Sequence, residues 1–100
     1  MTDESLTAEL AERVLGWKAT PNRFIKSGRT WIPRWRFAPL VCLDDAVQLL
    51  DTAASSYELV GENGAFAVEV RSGSRTGKAS GKSKARVITI AVARSLDLPL

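Results

Sequence analysis

The chain has no histidine and only one cysteine, Cys42. Without histidine there is no Ser-His-Asp triad, no imidazole-ligated zinc and no imidazole switch near neutral pH. A single cysteine excludes an internal disulfide and a cysteine-cluster metal site; in the apolar run Leu40-Val41-Cys42-Leu43 it reads as a small core residue. No apolar stretch reaches the roughly 18 to 20 residues of a membrane helix. The acidic amino terminus also lacks the basic and apolar regions of a secretion signal, so a cytoplasmic protein with no membrane contact is expected. Asp44 and Asp45 are adjacent and would point to different sides of a helix, and no nucleophile stands beside a base. The expectation is therefore no catalytic residues, no metal and no cofactor.

What remains is an ordinary globular composition. With 100 residues, 45% hydrophobic and 25% charged, the chain suffices for one domain, residues 1–100, with one modest core. The net charge of +3 conceals an alternation: residues 1–17 carry −3, 18–36 carry +6, 37–65 carry −5 and 66–100 carry +5. The two basic blocks supply the candidate anion- or nucleic-acid-binding residues, Arg29, Arg34 and Arg36 from one and Arg75, Lys78, Lys82, Lys84 and Arg86 from the other. Trp31 and Trp35, interleaved with arginine, are candidates for base stacking or protein contact, although burying such rings is also what a small core needs.

Leu6, Leu10 and Val14 at steps of four predict an amphipathic helix over 5–16, capped by Asp3 or Ser5 and ended by Gly16, with Trp17 packing past the stop. Residues 20–28 mix Pro, Asn, Ser and Gly with bases and read as a loop or loose hairpin turn. Around 30–37 an extended segment would place Trp31, Trp35 and Phe37 on one face and Arg34 and Arg36 on the other. Pro33, which cannot donate to a ladder, confines it to a sheet edge. A second helix is predicted over about 43–54, capped by Leu43 or Asp44, with Ala46, Val47, Leu49, Leu50 and Ala53 as its apolar face. Tyr57, Leu59, Phe66, Val68 and Val70 alternate about Gly61-Glu62-Asn63-Gly64 and predict a hairpin over 56–71. Residues 72–84 hold no large apolar side chain and read as a flexible basic Gly/Ser/Lys loop. The last segment allows two readings. Val87, Ile88, Thr89, Ile90 and Val92 are β-branched and favour a strand, whereas Ala85, Ile88, Ala91, Val92, Ser95 and Leu96 share one helical stripe with Ser83 as a cap.

The string Gly77-Lys78-Ala79-Ser80-Gly81-Lys82-Ser83 has the flavour of a phosphate-binding loop. Counting back from Gly81, however, puts Thr76 where the first glycine belongs, and too little chain follows for the acidic residue that holds magnesium. Gly81, Lys82, Ser83, Lys84 and Arg86, followed by an alanine-bearing run, are similar to the end of a double-stranded RNA-binding domain, where a loop and a Lys-rich helix start grip phosphates. The helix over 43–54 interrupts the helix, three strands, helix order of that domain, and there the resemblance stops.

A broader resemblance begins at Leu10-Ala11-Glu12-Arg13-Val14-Leu15-Gly16-Trp17-Lys18 and continues through Trp31, Phe37-Ala38-Pro39, Asp44-Asp45-Ala46-Val47-Gln48-Leu49-Leu50 and Arg86 to Leu96. In order and spacing these stretches resemble the phage alpha-beta-alpha sandwich domain, a family of small phage and prophage proteins. The resemblance implies a closing helix over 85–96 and an α+β fold, a small single-domain α/β sandwich in the order α-β-α-β-β-α. Its short antiparallel sheet would combine the edge strand around 30–37 with the hairpin 56–71. No functional residues come with it. The functional expectation is a non-catalytic, phage-type binding or interaction module with an unknown protein partner or self-association; the alternative is nucleic-acid binding through the basic 72–86 loop and the 29–36 Trp/Arg segment.

Overall fold

A computed structural model describes residues 1–100 as a small, compact α+β domain of three helices and two three-stranded antiparallel sheets. The order is α1 (Asp3–Leu15), β1 (Lys18–Ala19), β2 (Arg23–Ser27), β3 (Thr30–Pro33), a 3-10 turn (Arg34–Arg36), α2 (Leu43–Ala53), β4 (Ser56–Glu62), β5 (Ala65–Ser72), β6 (Arg75–Gly81) and α3 (Lys84–Ser95). The α+β sandwich class stands. The single sheet expected to combine the 30–37 edge strand with the 56–71 hairpin is instead two, because three further strands join: β1 and β2 pair with β3 in one sheet, and β6 completes the other with β4 and β5.

The closing segment is helical, and its composition follows from its position. α3 lies across β5 and β6 on one side and packs on α2 on the other, so eight of its twelve residues are buried. A helix enclosed in this way is apolar nearly all round, and burial overrides the weak preference of β-branched residues for strands. Its polar core residues are satisfied: Thr89 Oγ1 donates to the Pro39 carbonyl at 2.8 Å and Ser95 Oγ to the Val92 carbonyl at 2.6 Å. Ser83 caps α3 as expected, its Oγ accepting from the Arg86 amide.

The expected loop at 72–84 is mostly strand β6, registered against β5 from Phe66↔Gly81 to Ser72↔Arg75. Small size, which removed these residues from the expected core, is what places them there. Gly77, Ala79 and Gly81 face α3, and a Cβ at Gly77 would collide with the backbone of Ala91 and Ser95. The hairpin of β4 and β5 is as expected, closed by Asn63 (φ 53°) and Gly64 (φ 76°), the paired left-handed residues of a primed hairpin turn.

The segment around 30–37 departs from the expected extended run. β3 is an edge strand, but it ends at Pro33, and the 3-10 turn rotates the next residues so that Trp31, Trp35 and Phe37 no longer share a face. Phe37 enters the core with Trp17 and Phe24, the three ring centroids 5.1 to 6.0 Å apart. Phe24 is wholly buried on β2, within the stretch read as a loop.

The caps of the first two helices also differ. Thr2, not Asp3 or Ser5, caps α1 by accepting from the Ser5 amide, while Gly16 (φ 71°) ends the helix as expected. Cys42 occupies the cap of α2 without a side-chain bond, and it is half-buried rather than in the core. Asp45 accepts from the Ala38 amide at 2.9 Å and so staples the start of α2 to the chain before it.

Candidate functional site

The two tryptophans proposed as contacts are not brought together. Trp31 is half exposed, and the Arg23 guanidinium lies 4.3 Å from its ring centroid, so a cation already occupies one face. Trp35, on the 3-10 turn, is 78% exposed, and no aromatic or cationic group stacks on it. Only Val41, at 80%, matches it among the exposed large apolar residues.

Both line one cleft of about 620 Å³. Its construction can be followed from the chain. Pro33 ends β3, the 3-10 turn throws Trp35 outward, and Phe37 and Leu40 turn inward as a buried floor. Asp45 holds Ala38, and Thr89 holds Pro39, so the 38–41 stretch is tied to α2 and α3 while Val41 stays out. The opposite wall is the first turn of α1, with Asp3 and Glu4. Arg34 also lines the cleft, but its Nη1 donates to the Thr20 carbonyl at 2.7 Å and its guanidinium lies 4.7 Å from the Phe24 ring centroid. The result is an apolar rim facing a pair of acids. Val41 lies in the apolar run Leu40-Val41-Cys42-Leu43, whose composition is that of a core segment and gives no sign of its exposure.

The basic residues are dispersed. Arg75 pairs with Asp97 at 3.9 Å, Lys78 with Glu69 at 3.6 Å and Arg86 with Asp3 at 3.3 Å. These pairs are solvent-exposed and each contributes only about 0–1 kcal/mol, so they can exchange partners. Arg29, Arg36, Lys82 and Lys84 form no ion pair. Lys84 instead lies 5.8 Å from the Phe66 ring centroid. Residues Gly77 to Gly81 are extended in β6, so no backbone loop wraps a phosphate there.

The helix expected to interrupt the likeness to a double-stranded RNA-binding domain is α2, but it opens that order rather than breaking it: α2-β4-β5-β6-α3 runs helix, three strands, helix within the longer chain. The charges do not follow the topology. α2 carries Asp44, Asp45 and Asp51 and the β4–β5 turn begins at Glu62, so the cations of this unit are confined to β5, β6, α3 and the turn between the last two, and are absent from the helix and the β4–β5 turn that would complete the surface. A duplex-binding surface needs cations along its length.

No protein-family model and no curated protein sequence matches the chain. Its fold is that of a phage protein from Bacillus cereus ATCC 14579, whose 2.0 Å crystal structure superposes with a TM-score of 0.75 over 100% of this chain and 92% of that one, at 15% sequence identity. At that identity the likeness concerns the fold. It agrees with the sandwich implied by the resemblance to small phage proteins.

Proposed function

We propose that the protein is a phage-type binding module that captures a partner polypeptide in the Trp35 cleft. The observation that carries this reading is the placement of Trp35 and Val41, the two most exposed large apolar side chains, on one rim above an apolar floor. Exposed tryptophan is costly to leave in water and is the residue type most enriched at binding hot spots. The partner's chemistry follows from the walls: an aliphatic or aromatic anchor for Trp35 and Val41, flanked by Lys or Arg to meet Asp3 and Glu4. The phage assignment is supported by the fold shared with a phage protein and by the sequence resemblance described above.

Selection from a displayed random-peptide library, run in parallel on the protein and on Trp35→Ala, tests the reading. Peptides that pair an apolar anchor with Lys or Arg should be enriched on the native protein alone. Equal enrichment on both would overturn the assignment of the cleft, and a native protein that dimerises through it would make a second copy the occupant.

A further inference from the structure

A second cavity, of about 330 Å³, lies between the end of β6 and α3 and shares no lining residue with the Trp35 cleft. Its polar lining is Ser80, Lys82, Ser83, Arg86 and Arg94, with no Asp or Glu side chain among the residues that form it. The fold assembles this set from a short stretch of chain. β6 carries Ser80 and delivers Lys82 into the turn, Ser83 caps the helix, and Arg86 and Arg94 lie on one stripe of α3 at steps of four through Ile90.

We propose that this cavity binds a phosphate group, presented either by a polynucleotide backbone or by a small phosphorylated molecule. Three cations and no Asp or Glu side chain leave the concavity net positive, and two of the cations are guanidinium groups, whose planar forks match phosphate oxygens. The donors are largely uncommitted. Lys82 has no ion pair, and Arg94 spends one N–H on the Lys78 carbonyl at 2.7 Å. Arg86 is held only by Asp3, through an exposed pair at 3.3 Å that a phosphate oxygen can replace. The Arg86 amide is taken by the Ser83 cap, but the Lys84 and Ala85 amides and the positive end of the α3 dipole lie beside this cluster. The hydroxyls of Ser80 and Ser83 supply further hydrogen bonds at the rim.

Amide chemical shifts followed during titration with inorganic phosphate, a short single-stranded oligonucleotide and duplex RNA test the site. Inorganic phosphate should shift the resonances of 82–86, and Lys82→Ala combined with Arg94→Ala should weaken binding about tenfold or more. Lys82→Glu, at an exposed position whose side chain makes no ion pair, should abolish the shifts on its own and separates lost binding from lost structure. Tighter binding of an oligonucleotide, with a salt slope that falls by about 0.7 to 0.9 for each cation removed, identifies the source as a polynucleotide. A response to phosphate alone identifies a small ligand. Unmoved 82–86 resonances, or variants that bind as the native protein does, overturn the proposal and leave the Trp35 cleft unaffected.

Discussion

Gly77 governs how closely β6 and α3 can approach. A methyl group there meets the backbone of Ala91 and Ser95, neither of which can rotate away as a side chain would. Gly77→Ala should therefore lower the unfolding free energy by roughly 2–3 kcal/mol in urea titrations, in the upper range for overpacking. Gly73→Ala is the control. Gly73 needs its positive φ of 63° but has open space around it, so its loss should cost only about 1 kcal/mol. Trp35 behaves oppositely to both. With 78% of its surface in water it contributes little to the core, and Trp35→Ala should leave stability within about 0.5 kcal/mol of native. A large loss of stability in that variant would make the tryptophan a structural residue rather than a contact.

The helices and strands were legible in the sequence where one face is apolar and the other polar. α1, α2 and the β4–β5 hairpin show that pattern and form within a residue or two of the expected bounds. β6 and α3 were harder, each for a physical reason. β6 joins the core through absent side chains, which leave no apolar mark, and α3 is buried on so many sides that helical and strand periodicities both fit it. The cleft was legible only in part. Trp35 could be named from its type, whereas the turn that exposes it and the exposure of Val41 depend on contacts far along the chain, among them Asp45 to Ala38 and Thr89 to Pro39. The Ser83 cap was readable and is testable. Ser83→Ala should cost about 1 kcal/mol and speed amide exchange in the first turn of α3.

Across the whole molecule the segregated charges meet in one place. Asp3 lines the Trp35 cleft, Arg86 lines the cavity proposed for phosphate, and the two are paired at 3.3 Å, so a ligand on either side would compete for half of that pair. Asp3→Ala should release Arg86 and raise phosphate affinity by up to about fivefold, the most that an exposed pair of about 1 kcal/mol allows. The same substitution should weaken capture of a basic peptide in the cleft. Under the two proposals the alternation of acidic and basic blocks becomes two neighbouring surfaces with opposite preferences. The most direct measurement on the central claim is calorimetric titration of a selected cationic, apolar-anchored peptide into the native protein and into Trp35→Ala at several temperatures. Capture in the cleft predicts a negative heat-capacity change with the native protein, from burial of apolar surface, and affinity about tenfold or more weaker in the variant. Equal affinity for the two proteins would contradict it.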